Sequence, residues 1–238
     1  AFSGFCFMCN KINGVRNMYK KFMENGRSMI EMLGVLAIVG VLSVGGIAGY
    51  SKAMEQFRLN KVIGEYSMLI FGMLEHLDNF KNTQTGMTEE AEVFTVAQSL
   101  NLVPQSWSRI NNLQYKDSLG NMIQLWILPE YGLAENAKVL TFDFYLGGVT
   151  PDNNNKNVSA NFSAKLCMDI YQKIAIPLHN VAWNANLYRS GGESHIIAGD
   201  KTCDGTRKCL NNITLAEIHN ICSTCTQGGE LCAIAMHF

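Results

Sequence analysis

Six of the eight cysteines, Cys167, Cys203, Cys209, Cys222, Cys225 and Cys232, lie in the last 72 of 238 residues. Thiols so grouped support three kinds of chemistry. Cys203-x5-Cys209-x12-Cys222-x2-Cys225 offers four thiolates to zinc, but only one half has the CxxC spacing that such sites use. Cys222-Ser223-Thr224-Cys225 has the form of a redox pair, yet no thioredoxin-like βαβ pattern surrounds it. An even count favours three disulfides, for which 15 pairings are open. Cys203 and Cys209 form the easiest local pair. The histidines, His76, His179, His195, His219 and His237, are scattered singly and read as surface or core residues rather than ligands. Serine-hydrolase, zincin, P-loop and dinucleotide signatures are absent, so an enzyme is not expected, nor a metal or cofactor.

The other chemically conspicuous residue is Glu31. It opens Met29 to Tyr50 (MIEMLGVLAIVGVLSVGGIAGY), of which the last 19 residues carry no charge. As a helix this stretch would span about 33 Å, enough for a bilayer core of about 30 Å. It is longer than the apolar region of a secretory signal, and Ala48-Gly49-Tyr50 makes a poor cleavage site. Residues 1–26 hold Lys11, Arg16, Lys20 and Lys21 against Glu24, which predicts a cytoplasmic N-terminus and an extracytoplasmic chain from Ser51 onward. Disulfides persist on that side. The whole chain has a net charge of -1 and only 16% charged residues, against a nucleic-acid binder held by a basic face.

A carboxylate at the edge of a membrane helix usually has a partner. Ser28-x-x-Glu31 also reads as a capping box at a helix start. The helix is rich in small residues, among them Gly34, Ala37, Gly40, Gly45 and Gly49, and Gly45…Gly49 is a GxxxG pair. Small residues let helix backbones approach, so the segment reads as built for helix packing.

Gly26-Arg27-Ser28-Met29-Ile30-Glu31 with the apolar run behind it resembles the class III signal of type IV pilins and pseudopilins. The resemblance implies cleavage by a prepilin peptidase between Gly26 and Arg27, which makes Glu31 the fifth mature residue. It implies that Glu31 pairs with the freed amine of a neighbouring subunit. Arg27 stands where the family usually has Phe or Met, and adds a second positive charge beside that amine. Met18 to Gly26 would be a nine-residue leader of the usual short kind, so residues 1–17 are expected not to belong to the native protein. The family further implies a homopolymer filament, minor pilins and an inner-membrane assembly platform as partners. The expected location is the bacterial inner membrane before assembly and a cell-surface or periplasmic filament after it. A disulfide-bounded C-terminal loop is also implied, with Cys167 joined to one of Cys222, Cys225 or Cys232.

The elements that must position these residues follow from periodicity. Met54, Phe57, Val62, Tyr66, Leu69, Met73, Leu77 and Phe80 fall mostly at helical spacing, so one helix is expected from Ser28 to about Phe80. Residues 81–87 read as a linker, and a short helix is expected from Thr88 to about Asn101. Strands are expected at Leu113–Tyr115, Met122–Leu128 and Val139–Leu146, with a turn at Asp117–Asn121 and a loop at Pro151–Asn157. A helix is expected over Phe162–Ile176, another near Thr214–Ile221, and a last strand near Leu231–Phe238. Pro104-x-x-Trp107, Asn112 and the Asp117–Asn121 turn resemble the head of type IVb-like pilins. The expectation is an α+β chain: a leader (1–26), a transmembrane assembly helix (27–50), its amphipathic continuation (51–80) and an antiparallel-sheet head (81–238) with a disulfide-rich end, a pilin-like ladle. The alternative is a bitopic membrane protein with an extracytoplasmic disulfide-rich binding domain.

Overall fold

The structure, a computed structural model, describes residues 7–78, 93–129, 138–225 and 228–238; of residues 7–28 it describes the backbone alone. The chain forms two compact units, residues 1–56 and 57–238.

The first element is helix α1, Phe7–Glu75. It is already helical well before Ser28, so the expected capping box does not start a helix in this chain. An N-cap needs non-helical backbone, and nothing between Phe7 and Ser28 supplies it. That stretch holds no proline, and its glycines lower helix stability without ending the helix. Helix α1 ends at Glu75, short of the expected Phe80, where the His76 amide turns back to the Met73 carbonyl at 3.1 Å; the linker 81–87 and the helix start at Thr88 lie outside the described residues. Helix α2 is Val93–Ser99.

In the second unit, Leu59, Val62, Ile63, Tyr66, Leu69, Ile70 and Met73 form the buried stripe of α1. Their alternating three- and four-residue steps keep one face inward. Phe57, expected on this stripe, is instead 63% exposed. It precedes Leu59 by two residues, about 200° around the helix. Gly72 sits where Leu102 packs: a Cβ there would come within 2.3 Å of the Leu102 side chain. The glycine that weakens the helix therefore admits its neighbour.

The stripe covers one face of a seven-stranded antiparallel sheet. Its strands are β1 (Ser108–Arg109), β2 (Gln114–Lys116), β3 (Met122–Pro129), β4 (Lys138–Tyr145), β7 (Asn184–Arg189), β8 (His195–Ala198) and β9 (Cys232–His237). They lie in the order β1-β2-β3-β4-β9-β7-β8. The expected strands and hairpin are present, and β9 is inserted between β4 and β7. Strands β1, β7 and β8 were not expected. Residues 151–157, expected as a loop, are closed by a two-stranded ribbon of β5 (Thr150–Pro151) and β6 (Asn157–Val158). Helix α3 (Ala164–Ile170) runs into a π-helical turn, Tyr171–Ala175. Helix α4, Leu215–Cys222, starts at a capping box of Thr214 and Glu217. The result is an α+β fold with a long N-terminal apolar helix.

A buried polar network fixes α1 to the sheet. The Tyr66 hydroxyl donates to Asp117 Oδ2 at 2.6 Å, and Asn121 Nδ2 donates to the same oxygen at 2.8 Å. Asp117 Oδ1 accepts from the amides of Leu119 and Asn121, which shapes the β2–β3 turn, and Gly120 takes φ +89°. Asn121 Oδ1 accepts from Gly147 N at 2.8 Å. Nearby, Trp107 Nε1 donates to Glu65 Oε2 at 2.9 Å, and its ring meets Tyr66 edge-on at 5.9 Å.

Tyr66→Phe withdraws one donor from a buried carboxylate and should lower the head's unfolding free energy by about 1–3 kcal/mol, as read by urea denaturation. Replacing Cys167 and Cys222 together by Ala should cost about 4 kcal/mol, since their bridge closes a loop of 55 residues.

Candidate functional site

The residues singled out for assembly all lie on α1. Gly26 and Arg27 are inside the helix, with side chains outside the described set. Glu31, Gly34, Ala37, Gly40, Gly45 and Gly49 are exposed. At about 100° per residue, Gly34, Gly45 and Gly49 share the helix face of Glu31 within about 60°, whereas Ala37 lies about 120° away. Gly40 falls on another face, so the small residues do not form one stripe. A Cβ added at Gly34, Gly40, Gly45 or Gly49 would meet nothing within 4 Å. Each glycine costs helix stability of about 1 kcal/mol against alanine, and the chain itself draws no packing from it. The large apolar residues from Met29 to Tyr50 are 51–74% exposed. By length and composition α1 is apolar enough to cross a membrane, with a mean hydropathy of 2.2 over its most apolar window.

The six distal cysteines form three disulfides: Cys167–Cys222, Cys203–Cys209 and Cys225–Cys232. The first joins α3 to α4, and both its cysteines are fully buried. The second is the expected local pair. The third joins the loop after α4 to the start of β9. Their sulfurs are therefore bonded to one another, and neither the four-thiolate set nor the Cys222–Cys225 redox pair forms.

Around the bridges the C-terminal region is tied by local polar contacts. Asp204 accepts from the Thr206 amide and hydroxyl, which hold its carboxyl below the usual range. Glu217 bonds Lys208 at 2.7 Å and caps α4, and these contacts pull its carboxyl down to about 2. Glu230, almost fully buried, receives Nε and Nη2 of Arg189 at 2.9–3.2 Å. His179 pairs with Asp200 at 2.7 Å, in keeping with a structural histidine.

Sequence reasoning missed a grouping on the outward face of the sheet: Trp126, Asp143, Asn186 and His237. Asp143 was its signal, an acid alternating with Phe142 and Phe144 in β4. Trp107 is buried, whereas Trp126 and Trp183 are only half-buried.

No protein-family model, curated protein or solved structure matches the chain, so the residues above carry the functional reading by themselves.

Proposed function

We propose that the chain is a structural subunit of a type IV pilus-like or pseudopilus filament, processed by a prepilin peptidase and polymerised through its N-terminal helix. One observation carries the reading. Gly26 and Glu31 stand directly ahead of an apolar helix whose glycines touch nothing within the chain. Such a helix needs an apolar cover, and its small residues would allow close approach of other helices.

In this reading cleavage after Gly26 frees the amine of Arg27. The freed ammonium and Glu31 of a neighbouring subunit then meet in a low-dielectric bundle. Each removes the other's burial cost, and the pairing sets the axial register. Cleavage also turns Ser28 and Glu31 into first-turn residues, where a capping box becomes possible. The head, held by its three disulfides, forms the filament surface. The ladle arrangement and the inner-membrane origin belong to the same proposal.

Glu31→Ala should leave the head folded and its disulfides intact but reduce filament yield by about tenfold or more, because an unpaired buried charge costs about 3–5 kcal/mol. Negative-stain electron microscopy of sheared material reads this out, and wild-type filament numbers would remove the pairing role. Gly26→Val should leave an unprocessed precursor, seen as slower mobility on gels. Unchanged processing would remove Gly26 from the cleavage site. An uncleaved wild-type N-terminus without filaments would favour the bitopic membrane protein.

A further inference from the structure

The outward face of the sheet carries a hollow of about 340 Å³, and the strand register explains it. Strand β9 sends Ile234 and Met236 into the core and Ala233, Ala235 and His237 outward. Both alanines are flanked by larger neighbours. Tyr145 of β4 and Tyr188 of β7 sit on either side of Ala233. Asp143 and Asn186 sit on either side of Ala235. Strand β9 is therefore a floor. Trp126, Tyr145, Tyr188 and Ile196 rise beside it.

The polar groups in this hollow are short of donors. Asp143 is 6% exposed, and its carboxylate makes one side-chain hydrogen bond, accepted from Trp126 Nε1 at 2.8 Å. Asn186 Oδ1 is buried without a hydrogen-bond partner. No Lys or Arg lines the hollow among the described residues. Burial pushes the Asp143 carboxyl up to about 7 and His237 down to about 4, so near pH 8 the hollow holds an anion and no cation. A buried ion without a counter-ion is costly, and aromatic rings attract organic cations.

We propose that this hollow binds an alkylammonium group, with the Asp143 carboxylate accepting its N–H donors and Trp126, Tyr145 and Tyr188 flanking its charge. A neutral polyol would also fit hydrogen bonds to a carboxylate, but it brings no counter-charge. The site is independent of the part played by the N-terminal helix. The group can come from a free amine or from a lysine of a second copy.

The test titrates the full-length chain in detergent with n-butylammonium chloride, protonated throughout pH 6–8. The three indole N–H signals are followed by NMR, with Trp126 assigned from Trp126→Phe. Saturable movement of the Trp126 signal is expected, with n-butanol and methyl β-galactoside giving none. Asp143→Asn should weaken binding at least tenfold, and Tyr188→Ala, at an exposed position, several-fold. Affinity should fall about tenfold from pH 8 to pH 6 as Asp143 takes up a proton. The other titratable groups facing it are Tyr145 on its own strand, Tyr188 on β7 and His237 on β9; β3 brings none. Burial keeps Tyr145 protonated and His237 neutral over this range.

Thermal stability gives a second readout. The folded chain holds the Asp143 proton up to about pH 7 while the unfolded chain loses it near 3.8, so the empty wild type should lose stability relative to Asp143→Asn as pH rises from there to about 7. Ammonium should restore it. Amine-induced dissociation in sedimentation would identify a lysine of a second copy as the source, and an unchanged mass with binding would identify a free amine. No saturable shift, equal binding by Asp143→Asn, or preference for the galactoside would overturn the proposal.

Discussion

Between Met29 and Tyr50 the chain presents thirteen large apolar side chains to its surroundings, each more than half exposed. At about 1.5–3 kcal/mol per side chain, leaving them in water costs on the order of 20 kcal/mol or more, which exceeds the stability of a typical domain. That surface must be covered by lipid or by other helices. The need for cover makes the remaining features of the N-terminal unit intelligible. In the proposed filament, glycines without contacts would be points of helix approach, and Glu31 at the edge of the apolar run would meet the amine of a neighbouring subunit.

The second unit solves the opposite problem. Its half of α1 buries one stripe on the sheet, and the Tyr66–Asp117–Asn121 network converts that packing into a fixed register. The network joins the helix, the β2–β3 turn and the turn at Gly147. The three disulfides serve the far end of the chain. They tie α3 to α4, close a small loop, and fasten the chain just before it enters the middle of the sheet. Strand β9 lies between β4 and β7 and joins the two parts of the sheet. The Cys225–Cys232 bridge at its start lowers the chain entropy that this pairing must overcome.

Much of this was legible in the sequence, for physical reasons. The apolar helix is a long, uniform signal. The β2–β3 hairpin is marked by Asp117 and Gly120, which a tight turn requires. Strands β7 and β8 were not legible. NANLYR alternates but is only six residues long and built largely from asparagine and alanine, which are poor strand formers, and HIIA is only four residues long. Phe57 misled because hydrophobicity alone does not say which side of a helix faces the sheet; Leu59, Ile63 and Ile70 do. The Ser28 capping box misled because a cap sequence is a start signal only where the preceding backbone leaves the helix. Disulfide partners depend on which elements meet in space, and the meeting of α3 with α4 is a tertiary fact. The outward hollow was invisible for the same reason: its floor and walls come from strands far apart in the chain.

The central claim is that the exposed helix is covered by copies of itself after cleavage behind Gly26. Intact-mass and N-terminal peptide analysis of protein sheared from the cell surface tests it most directly. The account predicts a mature chain beginning at Arg27 and recovered as polymer. Surface or membrane protein that still carries the residues upstream of Arg27, and is recovered as monomer, would contradict it.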